Sequence, residues 1–246
     1  EQPSGDLVQP TVEQILDRTR LAMNDITSYR VRGATLDRDS TSSVFSVPLR
    51  NFSEFQSYDR YRWEIDSSAH EHGYLTEYLV IGTQNFTRSD REGPLEWRES
   101  ERIYDRGEWQ SPFDTILSTL DNRDQKSTTT NGMHLVSDNE VTDDGVRVYH
   151  LEIIANFKHS WGSDITSETR TTTLLIDRDT YKLVARTVHK HYQHASPESL
   201  NGESSTSPDW WQMLYTERYY DYDEPIIVEA PDDYIPWHGT AAVTAR

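Results

Sequence analysis

The first periodic pattern in the chain is that of a helix beginning near residue 12. Thr11 and Gln14 have the spacing of a capping box, in which each side chain bonds the backbone of the other residue. Apolar residues then recur with helical spacing at Val12, Ile15, Leu16 and Met23. The polar face carries Glu13, Asp17, Arg18 and Arg20. The pattern therefore predicts an amphipathic helix with one buried stripe.

After residue 26 the pattern changes to the alternation of β-strands. Tyr61, Trp63 and Ile65 alternate with charged residues, which is typical of an antiparallel strand with one face in water. Further strands are predicted over residues 29–33, 44–47, 75–81, 84–88, 133–141, 146–154, 171–176, 183–192 and 216–228. An Asp-Asp-Gly turn ending at Gly145 favours a hairpin between two of them.

A second helix is predicted in the middle of the chain. Ser111 and Pro112 have the order of an N-cap followed by a proline at the first helical position. Its apolar stripe consists of Phe113, Ile116, Leu117 and Leu120. Two helices among many antiparallel strands, without an internal repeat or a clear domain boundary, predict a single α+β domain.

The predicted domain covers residues 11–231, between a flexible linker at 1–10 and a C-terminal tail at 232–246. Residues 195–209 are rich in Ser, Pro, Glu, Gly and Asn, so they predict an exposed loop between the last two strands. The chain opens on the polar EQPSGDLVQP, with neither Met nor a signal peptide, and we therefore expect a processed product.

The C-terminal run TERYYDYDEPIIVEAP, residues 216–231, is interpreted as the closing strand of the sheet. Its tyrosines and acids alternate, Pro225 suits an edge or a bulge, and Ile226 and Val228 share one face. Trp210, Trp211 and residue 237, also a tryptophan, stand beside predicted flexible segments. They either mark a partner or membrane-interface contact or fold back onto the sheet.

Composition indicates a folded protein with a strongly acidic surface. Aromatic residues make up 11% of the 246 residues, and a disordered chain would lack them. The formal net charge of −18 repels phosphate backbones and opposes flat docking on anionic lipid headgroups, so we expect no nucleic-acid partner. The absence of cysteine excludes disulfides and thiolate chemistry. No stretch approaches the roughly 20 apolar residues of a membrane helix.

Histidine pairs are the first pattern that points to a metal. His70 and His72, and likewise His189 and His191 with His194 nearby, alternate as residues on one strand face do. Such a pair has the spacing to chelate zinc, whereas a solvated strand face requires no metal. Without cysteine or a longer spaced motif, we expect no metal site.

Catalytic motifs are missing from the sequence. Carboxylates are densest at Asp177 with Asp179, where the glycine and terminal glutamate of a calcium loop are lacking, and over residues 221–224. A hairpin turn and a charged edge explain both groups. Neither a Gly-x-Ser-x-Gly elbow nor a phosphate loop occurs. We therefore expect no enzymatic activity and no cofactor.

Several segments carry a family resemblance through their order and spacing. They are the capped helix, then YRWEID, LVIGTQNFTRS, EWR, GVRVYHL, LIDRDTYKL and finally YDEPIIVEAP. Together they resemble the LolA-like group of bacterial envelope proteins, and most closely its LppX/LprG-type lipoprotein branch, from about residue 11 to residue 231. Two features depart from the group: the 195–209 insert is longer, and the lipid-modified N-terminal cysteine is absent.

The resemblance implies an α+β fold, with a strongly curved antiparallel sheet (a half-barrel) and helices packed on its concave face. Between sheet and helices the family holds an apolar cleft for acyl chains. Candidate lining residues are the apolar sides of these elements: Leu16, Trp63, Ile65, Leu79, Ile81, Ile116, Leu117, Leu120, Leu151, Ile153, Leu174 and Ile176. For each of them the alternative is an ordinary packed core, because every amphipathic element buries its apolar side.

The function implied is a non-enzymatic carrier of lipids or acylated lipoproteins, outside the cytoplasm and lipid-anchored or secreted. We expect a monomer, with an envelope protein as a further partner. One alternative is a sensor or scaffold of the same fold whose cleft is closed and which acts through protein contacts. Another is an enzyme or metal protein built on the histidine pairs.

Overall fold

The computed structural model describes residues 9–42, 44–57, 59–92, 95–100, 129–161, 164–195 and 210–236. Helix α1 (Val12–Asn24) is the predicted amphipathic helix, and its capping box is confirmed. Gln14 N donates to Thr11 Oγ1 at 3.3 Å, and Thr11 N donates to Gln14 Oε1 at 3.0 Å. The helix predicted to begin at Ser111 lies outside the described residues.

The strands form one antiparallel sheet that is curved and not closed. They are β1 (Tyr29–Asp39), β2 (Leu49–Ser57), β3 (Arg60–Asp66), β4 (Leu75–Ile81), β5 (Gln84–Ser89), β6 (Arg98–Ser100), β7 (Thr129–Val141), β8 (Arg147–Trp161), β9 (Asp164–Asp177), β10 (Leu183–Ala195) and β11 (Trp210–Tyr220). Across the 11-stranded sheet the order is β6-β5-β4-β3-β2-β1-β11-β10-β9-β8-β7. Pairing of β1 with β11 joins the two halves of the chain.

Strand register sorts the side chains onto two faces, because residues directly paired across strands point to the same side. Val31 pairs with Ser53 on β2 and with Tyr219 on β11. At the other end of the sheet, Leu151 pairs with Leu174. Val31, Tyr219, Leu151 and Leu174 all lie in one core cluster with the buried stripe of α1. We call their side the helix-side face and the other side the opposite face.

The main core lies between α1 and the helix-side face. Ile15 on α1 and Leu151, Leu174 and Ile176 on β8 and β9 are all 0% exposed. Each such side chain stabilises the fold by about 1.5–3 kcal/mol through burial alone. One helix among the described residues therefore packs on the sheet through a dry interface.

The last strand is shorter than the sequence pattern predicts. It ends at Tyr220 rather than at residue 228, because Asp221 and Asp223 adopt left-handed backbone conformations with φ of 52° and 61°. The Asp223 carboxylate holds this turn, since it accepts hydrogen bonds from Thr27 N at 2.9 Å and from Lys182 Nζ at 2.6 Å. A strand cannot continue through two such residues.

Beyond that turn, residues 221–236 cover part of the opposite face. Ile226 and Val228 are buried there against Leu79 and Phe86 in a second, smaller core cluster. Val228 N donates to Gln56 Oε1 at 3.0 Å, which fixes the segment to the neighbourhood of β2. The predicted return of Ile226 and Val228 to a core is confirmed, although they reach it outside the sheet.

The strand predicted at residues 44–47 is also wrong. Val44 and Val47 are exposed and belong to the loop that leads from β1 to β2. The loop is tied down by Ser46 N, which donates to Asp37 O at 2.7 Å. A short apolar run predicts a strand only when it has a surface to bury against, and these valines have none.

Candidate ligand-binding face

The predicted lining residues fall into four groups. Leu16, Leu151, Ile153, Leu174 and Ile176 lie in the core cluster beneath α1, in contact with other side chains. Trp63 and Ile65 lie further along the helix-side face and are half-buried. Leu79 and Ile81 contribute to the second cluster. Three residues lie outside the described part of the chain: Ile116, Leu117 and Leu120.

Leu79 and Ile81 cannot share a cleft with Trp63. Trp63 pairs with Tyr78, whereas Leu79 pairs with Arg62, so Leu79 and Ile81 point to the opposite face. The prediction that both sets line one cleft between sheet and helices is therefore corrected. β4 ends with three consecutive apolar residues, Leu79, Val80 and Ile81. Because apolar and polar residues do not alternate there, the sequence does not show which of these side chains point to the helix-side face.

A row of aromatic rings extends the apolar surface away from the core. Tyr29 stacks on Phe55 with ring centres 5.0 Å apart, and Phe55 pairs across β2 and β3 with Tyr61. Two residues along β3, Trp63 stacks on Tyr78 at 4.9 Å. We call these five rings the aromatic row. It joins the core beneath α1 to strands β3 and β4 on the same face.

A group of charged and tyrosine side chains, which we call the polar belt, crosses the helix-side face on strands β9, β10 and β11. On β11, Glu217 accepts hydrogen bonds from Tyr215 Oη and, at 2.6 Å, from Tyr219 Oη. Arg186 on the neighbouring strand β10 brings its Nε to 2.7 Å from the same carboxylate. This half of the belt is thus a neutral group of one acid, one cation and two hydroxyls.

The other half of the polar belt lies on β9 and β10. Glu168 is 2% exposed and pairs with Arg170, whose Nη2 lies 2.7 Å from Glu168 Oε1. The Arg170 guanidinium also stands 4.5 Å from the ring centre of Phe157. Lys190 on β10 is directly opposite Arg170. We define the polar belt as Glu168, Arg170, Arg186, Lys190, Tyr215, Glu217 and Tyr219.

Burial and neighbouring charge shift several pKa values in this region. Burial, then Glu217, raises the pKa of Tyr215 above its usual range. Burial, then Glu168, raises the pKa of Tyr192 to about 12. Burial, then the nearby Arg170, lowers the pKa of Lys190. At neutral pH the tyrosines therefore stay protonated and act as hydrogen-bond donors, whereas Lys190 holds its proton less firmly than a solvated lysine.

Sequence reasoning missed the polar belt entirely. Its charged residues alternate along β9 and β10 as residues of a wet strand face do. Only the register places Arg170 opposite Ala155 and Arg186 opposite Leu174, next to the core. The signal that could have revealed the belt is the pairing of charged residues with apolar residues on the neighbouring strand. A map of residue contacts contains this information, whereas the sequence of one strand does not.

Gly33 is required where β1 passes beneath the side chain of Asn51. A Cβ at this position would lie 2.3 Å from Asn51 Oδ1 and 2.6 Å from the backbone oxygen of Thr216. We expect Gly33→Ala to lower the free energy of unfolding by about 1–3 kcal/mol, measured by urea denaturation. Adding Asn51→Ala should recover only part of the loss, because the backbone clash remains. Complete recovery would contradict this account.

The histidine pairs do not gather further metal ligands. Within the described ranges, no group of three or more His, Asp or Glu side chains has the spacing for a metal ion. His191 Nδ1 lies 2.9 Å from Gln212 Nε2, and its ring stacks on Trp210. Trp211 likewise contacts Tyr192, with ring centres 4.8 Å apart. Trp210 and Trp211 are the first two residues of β11 and pair with β10, so they belong to the sheet itself and are half-buried.

A separate cavity of about 380 Å³ opens on the backbone of β1 to β3. Its charged lining residues are Arg32, Arg50, Glu64 and Asp66, arranged around Phe52. Register places Arg32, Phe52 and Glu64 in one row on the opposite face. Because two cations face two carboxylates there, the cavity has no excess charge with which to select a ligand.

Comparison with solved structures finds partly similar chains at low sequence identity and with TM-scores below 0.5. LprF from Mycobacterium bovis has a TM-score of 0.49 and 12% identity, over 90% of this chain and 98% of that one. The lipoprotein LppX from Mycobacterium tuberculosis has a TM-score of 0.34 and 13% identity, over 89% and 100%. NE2245 from Nitrosomonas europaea, described as a LolA superfamily protein, has a TM-score of 0.30 and 9% identity, over 89% and 96%.

These structures are of the kind that the sequence resembles, an LppX/LprG-type chain of the LolA-like group. At identities of 9–13% and TM-scores below 0.5, the likeness does not establish what this chain binds. No protein-family model and no curated protein matches the sequence. In the part of the chain that the structure describes, no helix has the length and apolar character needed to cross a membrane.

Proposed function

We propose that the protein is a non-enzymatic carrier of the bacterial cell envelope that binds a lipid or an acylated lipoprotein. The observation that carries the proposal is the continuous row of apolar side chains on the helix-side face. It runs from the core beneath α1 through Tyr29 and Phe55 to the Trp63–Tyr78 stack. An acyl chain that leaves water for such a surface gains about 0.8 kcal/mol per buried CH₂.

The place of action is proposed from the sequence resemblance alone. An envelope lipoprotein acts outside the cytoplasm, lipid-anchored or secreted, and transfers its ligand to a further envelope protein. Binding by a monomer remains part of this proposal. Fractionation of cells that express the full gene product would test the location, and gel filtration would test the oligomeric state.

The aromatic row supplies a direct test of the proposed binding surface. We expect delipidated protein to bind the fluorescent fatty acid cis-parinaric acid. Trp63→Ala should weaken this binding about tenfold or more, because truncating an aromatic side chain at the centre of a binding surface typically costs more than about 1.4 kcal/mol of binding free energy. Trp63 is half-buried, so its removal should leave the fold intact. Fluorescence titration measures the affinity, and native mass spectrometry identifies lipid that co-purifies.

Trp97 provides a matched control for this variant. It is also half-buried, but it packs against the second cluster, beneath the guanidinium of Arg88 on the opposite face. Trp97→Ala should therefore leave the affinity for cis-parinaric acid unchanged. Equal losses in both tryptophan variants would mean that the affinity follows stability and not the helix-side face, which would contradict the proposal.

A second candidate is a sensor or scaffold whose apolar face is closed. The packing beneath α1 favours it, since Ile15, Leu151 and Leu174 are 0% exposed and leave no space for a chain beside them. This candidate predicts that purified protein contains no lipid and takes up no fatty acid at any concentration tested. Uptake of cis-parinaric acid that depends on Trp63 would exclude it.

A further inference from the structure

Two arginines that lie close to the beginning of β8 make no ion pair with any residue that the structure describes. Arg18 is an exposed residue of α1, and its Nη1 donates to Tyr181 Oη at 2.6 Å. Arg178 lies in the turn between β9 and β10, and its Nη1 donates to Asn139 Oδ1 at 3.2 Å. Both acceptors are neutral, although the protein as a whole has a net charge of −18.

Two stacked tyrosines bring these guanidinium groups together. Tyr149 on β8 and Tyr181 in the β9–β10 turn have ring centres 5.8 Å apart and hydroxyl oxygens 3.5 Å apart. The guanidinium carbon of Arg18 lies 5.2 Å from the ring centre of Tyr181, and that of Arg178 lies 5.3 Å from the ring centre of Tyr149. Tyr149 is 4% exposed and belongs to the core beneath α1, so it anchors the group of four side chains.

The acidic residues nearest in sequence are engaged elsewhere. Asp179 pairs with Arg147, whose Nη2 lies 3.4 Å from its carboxylate. The Asp177 carboxylate accepts hydrogen bonds from two backbone N–H groups of the turn, at 2.7 and 2.8 Å. On α1, none of the residues three or four positions from Arg18 is acidic. The structure therefore gives Arg178 and Arg18 hydrogen-bond acceptors but no carboxylate partner.

Hydrogen-bond donors exceed acceptors in this group. Burial raises the pKa of Tyr149, whereas the hydrogen bond with Tyr149 and the guanidinium of Arg18 lower the pKa of Tyr181. Tyr149 is therefore the donor to the Tyr181 oxygen, and the proton of Tyr181 has no acceptor among the described residues. Each guanidinium has five N–H donors and no acceptor. The missing component is an acceptor that carries negative charge.

The backbone holds Tyr181 in this position against its own preference. Its φ is 57°, in the left-handed region that bulky residues rarely adopt. Tyr181 N donates to Asp177 O at 2.9 Å, which closes the turn and directs the phenol towards α1. Such strain persists only where surrounding contacts maintain it, and strained residues concentrate at functional sites.

We propose that Arg18, Arg178 and the hydroxyl of Tyr181 bind a terminal phosphate group, either of a small phosphate anion or of a lipid head group. A phosphate dianion matches two guanidinium charges, and its three terminal oxygens accept from three donor groups. The planar fork of a guanidinium fits phosphate oxygens in pairs. Since the net charge repels anions at long range, binding depends on these short-range contacts. None of the residues belongs to the aromatic row, so the inference is independent of the proposed function.

Calorimetric titration with inorganic phosphate, in a chloride buffer at neutral pH, tests the site. We expect saturable binding to the unmodified protein, and about tenfold weaker binding to Arg18→Gln and to Arg178→Gln. Tyr181→Phe keeps the ring and loses the proton donor, so it should weaken binding by about threefold. Arg20→Gln is the matched control. It removes the same charge from an exposed position of α1, about 200° around the helix from Arg18, and should leave the affinity unchanged.

Vesicles of phosphatidylcholine with and without phosphatidic acid distinguish the two sources of the phosphate. Co-sedimentation that requires phosphatidic acid and is lost in Arg18→Gln would assign a lipid head group, whereas binding of inorganic phosphate alone would assign a small anion. Either result supports the inference. It is overturned if neither probe binds saturably, or if Arg20→Gln weakens binding as much as Arg18→Gln does. Thermal unfolding without phosphate checks the fold of each variant, and the exposed position of Arg18 makes its variant the decisive one.

Discussion

Glu77→Gln is expected to lower the free energy of unfolding by about 3 kcal/mol at neutral pH. The Glu77 carboxylate is 1% exposed on the opposite face and accepts hydrogen bonds from Arg62 on β3 and Arg88 on β5. Breaking a buried pair costs roughly 3–5 kcal/mol, and we expect the lower end because both guanidinium groups are partly exposed and keep some water. Urea denaturation measures the difference.

A pH series gives the same interaction an independent signature. Burial by itself would raise the pKa of Glu77, but the hydrogen bonds from Arg88 and Arg62 outweigh it and lower that pKa. A lowered folded-state pKa adds stability above the unfolded value of about 4.3, and this stability is lost as the pH falls through the folded-state pKa. The unmodified protein should therefore lose more stability between neutral and acidic pH than Glu77→Gln does.

Glu71 is the control for Glu77. Its side chain is 93% exposed in the turn between β3 and β4, so Glu71→Gln should change the free energy of unfolding by less than about 0.5 kcal/mol. If Glu77→Gln were as stable as Glu71→Gln, the buried group on the opposite face would contribute nothing. Parallel pH profiles for the unmodified protein and Glu77→Gln would contradict the pKa argument separately.

Ile226→Ala is expected to destabilise the protein by about 2–5 kcal/mol, whereas Ile227→Ala should change stability by less than about 0.5 kcal/mol. The two neighbours are chemically identical, but Ile226 is 4% exposed and Ile227 is 76% exposed. Ile226 packs with Val228 against Leu79 and Phe86, and its truncation leaves a cavity between the C-terminal segment and the sheet. Thermal and urea unfolding of both variants measure the contrast.

The isoleucine pair tests where the C-terminal segment lies. A strand that continued to residue 228 would also alternate its faces, so burial alone does not separate the two geometries. Phe86→Ala does, because Phe86 contacts the segment only across the opposite face, including Tyr234 at 4.9 Å between ring centres. In the Phe86→Ala background, Ile226→Ala should cost less than it does alone. Strictly additive losses would contradict the contact.

Helix α1 was predictable because its signals are local. The capping box between Thr11 and Gln14 and the stripe of Ile15, Leu16 and Met23 all lie between residues 11 and 23, and the structure contains them unchanged. The β8–β9 hairpin was predictable only in part. Its outer portion, with Glu168 and Arg170, is too polar to be recognised as strand without the pairing that continues to residue 164.

The candidate site divides in the same way. Trp63 and Ile65 could be assigned to the inner side of β3 because charged residues alternate with them. Leu79 and Ile81 were assigned to the wrong face because Val80, which lies between them, is also apolar, so polar and apolar residues do not alternate there. The polar belt escaped prediction because Arg170, like the other charged residues of β9 and β10, has the pattern of a solvated face.

By itself, the sequence determined the elements: one capped amphipathic helix, many antiparallel strands, an acidic surface without thiol chemistry, and a likeness to LolA-like envelope proteins. The tertiary structure alone decided which face of each strand is inward, how residues 221–236 reach the opposite face, and why charged residues of β9 and β10 lie beside the core. The reason is physical. Period and capping depend on residues a few positions apart, whereas the partner of a buried charge depends on the order of strands across the sheet.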